Sequence, residues 1–394
     1  MTKFSAVWLF ACVVTTISVM WVTQKWATTV PEVGCCLLAS VWATAFLLGK
    51  AKPRLSIVLL PMVGIIAWGC MQLVTGSTVY RWPTHLAILY WCGNAAAFFC
   101  GLQIFSDTRI RTLFLRTLVG FGFVTAIFCT IHAFTSTDMF YWHFPIGPHP
   151  VGPLFGPFRY KNQFAALIEI LFPVSLYFAI TTRRLRFLYF LIAATLYASV
   201  IAAASRAGFV LATIELAVVP VLVLRGRNFS RAQLINGVLV LIGMLLWLAI
   251  PAGPDLLISR FGQADPFSGR REFNESSAEM IKERPLLGFG LGNWPTAYPG
   301  YAKFDDGNFA NEAHNDWAQW TVEGGMPLLA MMLFIAGWAA IRGVKTAWGL
   351  GVPVIFIHCF VDYPIQRPGV SIVLFLMMAA IARGGTRRRE DTDP

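Results

Sequence analysis

Apolar stretches of about twenty residues, each long enough to cross a hydrocarbon core roughly 30 Å thick, follow one another along this chain with short polar interruptions between them. A bilayer leaves an unpaired backbone amide no water to bind, so such a chain folds as helices that close their own hydrogen bonds. Composition agrees, with 57% hydrophobic and 13% charged residues over 394 positions, outside the balance of a soluble domain. Spans are expected near 5–23, 33–49, 55–74, 84–105, 113–134, 163–181, 187–204, 208–224, 232–250, 315–341, 347–362 and 369–383. The expected class is therefore an all-α integral membrane protein of about twelve transmembrane helices.

The organisation that follows is five N-terminal helices over 1–134, a loop over 135–162 and helices six to nine over 163–250. A large loop over 251–314, helices ten to twelve over 315–383 and a tail over 384–394 complete it. Lys3 precedes the first apolar run as in a signal peptide, but the run is long and no small-residue cleavage site follows, so a retained helix is expected. Lys and Arg crowd one alternate set of connections, among them Lys50, Lys52, Arg54, Arg109, Arg111, Arg183, Arg184, Arg342 and Lys345. That set marks the cytoplasmic side and puts both termini there. The net charge of +11 is thus a topology signal, and no nucleic-acid partner is expected. All eight cysteines fall within expected spans without metal-ligand spacing, which argues against a disulfide framework or structural zinc.

Function is expected in the two long outward loops, because connections of this length are uncommon unless they bind something. The first, "TSTDMFYWHFPIGPHPVGPLFGPFRYKN", is rich in aromatics, Pro and Gly and suits an ordered segment at the membrane interface. In the second, "SGRREFNESSAEMIKERP" places Phe273, Ser277, Met280 and Ile281 on one helical face and ends at Pro285. Gly288, Gly290 and Gly292 follow at alternate positions, where a tight turn packed against a helix or ligand fits better than a dinucleotide loop.

Charged side chains at membrane depth cost roughly 2.5–3.5 kcal/mol each on insertion scales, so they face a cavity or a partner. Arg206, in "ASRAG", is either a snorkelling anchor or a guanidinium aimed into an outward cavity. Arg159 and Lys161 precede the sixth span, with Asn162 placed to cap it and Glu169, about two turns on, in need of a partner. Arg270 and Arg271 open the amphipathic segment, with Arg260 before them, and solvated surface positions are their ordinary alternative. Together these cations put positive charge on the outward side, where guanidinium pairs suit a lipid diphosphate. His314, among Asn311, Glu312, Asn315 and Asp316, is either a helix-start hydrogen-bonding group or a base for an attacking hydroxyl. His358 and Asp362, at i and i+4, are expected on one helix face, as a structural hydrogen bond or a second acid/base element. His85, His132, His143 and His149 lack a charged neighbour at useful spacing, and Asp305 and Asp306 read as turn residues. No metal site and no cofactor are expected.

The order "GPFRYKNQFA", "SRAG", "GRREF…MIKERPLLGFGLGNW", "AHNDWAQWTVEGGMPL" and "HCFVDYPIQRP" resembles the bacterial O-antigen ligase and polymerase superfamily over roughly residues 155–368. The resemblance implies a GT-C-like, metal-independent glycosyltransferase of the bacterial inner membrane with a large periplasmic loop. It implies transfer of glycan from undecaprenyl diphosphate to a hydroxyl of lipid A-core, in a ligase, or of a growing glycan chain, in a polymerase. By the same resemblance His314 matches the family's essential loop histidine, and Arg206 and Arg270 match arginines that hold the diphosphate. Arg159 falls where the family alternates basic and polar residues, and Arg271 enters only by adjacency. From a different class, a flippase or transporter of lipid-linked glycans would also gather cations, but it should carry charge deep in both halves and show repeat symmetry.

Overall fold

A computed structural model describes residues 1–136, 139–145, 154–225, 243, 254–262, 268–303, 307 and 309–384. The apolar runs form α1 (Thr2–Ser18), α2 (Lys25–Leu47), α3 (Leu59–Thr75), α4 (Arg81–Ile104), α5 (Thr108–Thr135), α6 (Lys161–Thr181), α7 (Arg186–Ala202) and α8 (Arg206–Leu224). After them come α9 (Pro254–Phe261), α10 (Ser268–Glu283), α11 (Trp294–Ala297), α12 (Asp316–Thr346), α13 (Gly351–His358) and α14 (Pro368–Arg383). A two-residue hairpin, β1 (Met139–Phe140) against β2 (Phe144–Pro145), lies in the first long loop. Among the described residues six helices, α2, α4, α5, α6, α8 and α12, are long and apolar enough to cross a membrane, with α1, α3, α7 and α14 as shorter apolar helices. The expected span at 232–250 and the tail beyond Gly384 lie outside the described residues.

The expectation for 347–362 is corrected. Only Gly351–His358 is helical there, and eight residues at 1.5 Å each reach about 12 Å, too little to cross a bilayer core. Hydropathy reports the cost of transfer and not where the backbone turns, and the turn here is set by Ala347 at φ 51° followed by Gly349 and Gly351.

The centre of the fold is α6, buried from Gln163 to Leu176 and packed against α5, α7, α8, α13 and α14. At its inner end Arg111, on α5, donates to the carbonyls of Phe105 and Arg383 at 3.0 and 2.9 Å. At the other end the loops converge: Lys161 reaches the carbonyl of Ala204, Arg206 that of Arg260, and the Asp316 amide that of Cys359.

The amphipathic helix expected from the loop sequence is present as α10. Its Met280, with Phe273 and Ile281 beside it, packs on Phe289, Trp294, Tyr298 and Val322 as a second, smaller core, and Trp294 Nε1 donates to Ser277 Oγ at 2.9 Å. The glycine turn docks this core onto a break in α12. Gly288 has φ 66°, and a Cβ there would come within 2.6 Å of Glu323 backbone atoms, so only glycine fits. The break is at Gly325 (φ 65°), where the amide of Met326 turns to the carbonyl of Pro285 at 2.8 Å. The Glu323 carbonyl freed by the break accepts from the Gly290 amide and Gln72 Nε2, both at 2.9 Å, so that carbonyl is not orphaned.

Candidate functional site

The converging ends put His314 immediately before α12. Asn315 caps that helix, accepting from the Ala318 amide at 3.2 Å and donating to Asn274 Oδ1 at 3.0 Å. Asp316 Oδ2 accepts from the Ile365 amide at 3.1 Å, which ties the helix start to the segment between α13 and α14. His314 has φ 53°, a left-handed conformation costly for a residue with a Cβ and held here by contacts on both sides. Phe273 stacks parallel to the imidazole with centroids 5.9 Å apart, and Tyr363 meets it edge-on at 4.7 Å. The ring is thus fixed, yet the side chain remains 30% exposed.

Nδ1 of His314 is buried, lacks a hydrogen-bond partner among the described residues and points to Asp362 Oδ1 at 3.8 Å, beyond hydrogen-bond range. Burial lowers the imidazole below its ordinary value; Asp362 opposes this, and Arg270 and Arg367 reinforce it. The ring is therefore neutral at neutral pH and able to take a proton.

Asp362 is the hub of the site. Its Oδ2 accepts from Arg270 Nη2 at 3.1 Å and from the amide of Asn162, and its Oδ1 from the Tyr363 backbone amide at 2.9 Å. Burial alone would raise this carboxyl, but the charge of Arg270, with His314 and His358, outweighs it and holds the group below the usual carboxylate range. Asn162 Oδ1 accepts from Ser205 Oγ at 2.8 Å, and Ser205 in turn caps α8. Asn162 is therefore not the expected cap of α6; its side chain joins α6, α8 and the α13–α14 segment.

Three of the cations expected to bind an anion come together. Lys161 donates to the Ala204 carbonyl at 3.0 Å and lies within electrostatic reach of Arg206, Arg260 and Arg270. Arg206 donates to the Arg260 carbonyl at 3.1 Å. Arg260, counted from sequence among the outward cations but given no site role, joins the group. The signal available was its place ten residues before Arg270 in the same loop. Like charges gathered this closely repel and call for an anionic ligand.

Arg159 goes elsewhere. With Tyr160 it lines a separate cavity of about 420 Å³, whose wall near His314 contains Glu312 and Arg367. Arg367 Nη2 donates to Glu312 Oε1 at 3.2 Å, Gln319 Nε2 to Glu312 Oε2 at 2.7 Å, and the Arg367 guanidinium lies over the Tyr363 ring at 4.7 Å. Burial raises the Glu312 carboxyl, against the pull of Arg367 and Gln319. Tyr363 is thus the partition between the two regions, with its ring edge-on to His314 and under Arg367.

The remaining candidates divide. Arg271 is exposed on α10, where its charge acts on Glu275. His358 and Asp362 do not share a helix face as expected, because α13 ends at His358. His358 turns inward, fully buried, with Nδ1 2.9 Å from both carboxylate oxygens of Glu169, which answers the need of Glu169 for a partner. Glu323, unassigned from sequence, accepts from Gln319 Nε2 at 3.1 Å and the Trp294 amide at 3.4 Å. Among the described residues no group of three or more His, Cys, Asp or Glu gathers as a metal site, and Asp305 and Asp306 lie outside them.

Residues 187–333 match the family model described as O-antigen ligase, a stretch that runs from α7 through the first half of α12 and includes Arg206, Arg260, Arg270 and His314. No curated protein matches the chain.

Proposed function

Taking the chain as a member of the O-antigen ligase and polymerase superfamily, we propose that it transfers glycan from undecaprenyl diphosphate to an acceptor hydroxyl at the periplasmic face of the bacterial inner membrane. The observation that carries this reading is one constellation: a fixed, neutral His314 facing Asp362, with Asp362 bonded to Arg270 and the cations Lys161, Arg206 and Arg260 beside it.

The cationic group holds the diphosphate of the donor, guanidinium forks pairing with phosphate oxygens. Nε2 of His314 takes the proton of the acceptor hydroxyl. Its oxygen forms a bond to the anomeric carbon as the bond from that carbon to the diphosphate oxygen breaks, in line and with inversion. The departing diphosphate keeps the electron pair, and the surrounding cations stabilise the charge that develops on it. The imidazolium so formed is stabilised by Asp362, whose 3.8 Å separation closes to a hydrogen bond once Nδ1–H faces a stronger charge.

Sidedness is supported by Arg54, Arg111 and Arg383, which lie at the end of the bundle away from His314, as a cytoplasmic positive belt would. A lipid-linked glycan transporter is the second reading, and fully buried Glu169, Glu215 and His358 are what favour it. Proteoliposomes containing the full chain and a lipid-linked repeat unit separate the two. Transfer that disappears in His314→Ala supports the enzyme; translocation without transfer, unaffected by His314→Ala, overturns it. Product sizing with and without lipid A-core then divides polymerase, which makes ladders without it, from ligase, which makes a single transfer dependent on it.

A further inference from the structure

The 420 Å³ cavity beyond Tyr363 is not used by the mechanism above except at its rim, and its size falls within the roughly 300–1,000 Å³ of small-molecule sites. Its far wall comes from the N-terminal helices, through Trp21 and Lys25 at the α1–α2 turn, Glu32 on α2, and Tyr90 and Trp91 on α4. All five lie outside residues 187–333.

The chemistry of this wall is that of a carbohydrate site. Aromatic rings offer flat apolar faces to the C–H face of a pyranose, and carboxylates and amides beside them accept and donate to the hydroxyl rim. The charges on these walls balance, Glu32, Glu312 and Glu323 against Lys25, Arg159 and Arg367, so the cavity lacks the excess of cations that would draw a diphosphate. Two of the three carboxylates are already engaged, Glu312 by Arg367 and Gln319, and Glu323 by Gln319 and the Trp294 amide. Glu32 makes no hydrogen bond among the described residues and feels the charge of Lys25. Its backbone is pressed against Gly93 of α4, where a Cβ would come within 2.9 Å of Glu32 Cβ, so the two helices close at that point and the carboxylate lines the open space. An acid kept on an apolar helix without a partner calls for a ligand.

The cavity also comes close to the base through two of its lining residues. Tyr160 and Arg367 line it, and both contact Tyr363, whose ring centroid is 4.7 Å from that of His314. We infer that this cavity is the acceptor-sugar subsite, and that Glu32 sets acceptor specificity by accepting hydrogen bonds from the hydroxyls of the acceptor glycan. The inference rests on the glycan-transfer reading for its direction. It adds that the α1–α2 turn, α2 and α4, which lie outside the family-matched segment, complete the acceptor cavity against Glu312 and Glu323 of that segment.

The test is a split of Michaelis constants for the full chain in proteoliposomes, with a lipid-linked repeat unit as donor and the repeat-unit oligosaccharide or lipid A-core as acceptor. Glu32→Ala should raise the acceptor KM about two- to tenfold, the loss expected for a hydrogen bond, and leave the donor KM unchanged. Because Glu32→Ala removes side-chain atoms packed against Gly93, Thr28→Cys on the same wall, modified with a bulky maleimide after folding, should reproduce the split. A raised donor KM with an unchanged acceptor KM would assign the cavity to the donor and overturn the inference, as would no change in either. Equilibrium dialysis with tritiated repeat-unit oligosaccharide keeps the two proposals apart. Binding that is lost in Glu32→Ala, in a protein that transfers nothing, preserves the subsite and removes the proposed function. Transfer with acceptor KM indifferent to Glu32 does the reverse.

Discussion

The two regions that meet at Tyr363 lie at the same end of the molecule and differ in nearly every physical respect. On one side, Lys161, Arg206, Arg260 and Arg270 gather, and Arg270 is bonded to the ionised carboxylate of Asp362. On the other, Glu32, Glu312 and Glu323 line a cavity together with the rings of Trp21, Tyr90 and Trp91. The first gathers like charges that an entering anion would offset; the second is balanced in charge and aromatic, and suits a neutral polar molecule with apolar faces. The difference teaches that a transferase can sort its two substrates by charge before geometry acts, provided the base stands on the border. His314 stands there.

The sharpest way to break this comparison is to remove the border residue. His314→Ala should lower glycan transfer by about 10²–10⁴-fold, the usual contribution of a general base, in a protein that still elutes as a folded, inserted species. The pH profile gives the sign. In the proposed mechanism His314 acts as the neutral base, and burial lowers its pKa, so activity should persist through neutral pH and fall only below the range of a free histidine. Asp362 raises that pKa, so Asp362→Asn should move the acid limb to still lower pH while also reducing the rate through loss of the Arg270 contact. An acid limb that moves up would show that Asp362 does not act on His314.

Next in size is the cationic side. Arg206→Ala and Arg270→Ala should each cost about 10- to 100-fold in donor use, from the roughly 1.5–3 kcal/mol of a hydrogen bond to a charged group. Arg109→Ala and Arg183→Ala, in the opposite positive belt, should leave donor KM unchanged. Equal losses in both pairs, measured by steady-state kinetics, would erase the distinction between a binding cluster and a topology signal.

How far the sequence revealed this arrangement depends on whether a residue acts through its own type or through a distant partner. Helices legible as apolar runs are present close to their expected places, as α4 at Arg81–Ile104 against 84–105 and α6 at Lys161–Thr181 against 163–181. The half-length α13 was not, because its run is as apolar as a full span. His314, Arg206 and Arg270 stand out in the sequence because an imidazole and a fork of donors declare their chemistry individually, and the roles given to them are those of the proposed mechanism. Asp362 was legible as an acid but not as the hub, since its partners Asn162 and Arg270 are 200 and 92 residues away. The Glu169–His358 pair spans 189 residues and has no local signal at all. The acceptor wall was missed for the same reason: nothing about Glu32 or Trp21 in sequence brings them to His314.

A smaller effect should separate the two regions by their construction. The glycine turn at 288–292 docks on Glu323, a cavity wall residue, and has no contact described with Arg206 or Arg270. Gly288→Ala forces a Cβ into the Glu323 backbone at φ 66° and should destabilise the protein by roughly 1–3 kcal/mol, the cost of a strained residue, seen as a lower thermal midpoint. At temperatures where the variant stays folded, its acceptor KM should suffer more than its donor KM.

The smallest effect expected is at the partition itself. Tyr363 meets His314 at right angles through its ring, carries Arg367 over that ring and also hydrogen-bonds Arg367 through its side chain. Tyr363→Phe keeps both ring contacts and loses only the hydrogen bond to Arg367, so it should leave the transfer rate nearly unchanged and shift the acceptor KM by no more than about tenfold. Tyr363→Ala opens the border, lets water reach the anomeric carbon beside His314, and should convert part of the transfer into hydrolysis of the lipid-linked donor, read as free glycan released without acceptor. If Tyr363→Phe is as damaging as Tyr363→Ala, the hydroxyl takes part in the chemistry and the two regions are joined by a proton path rather than divided by a wall.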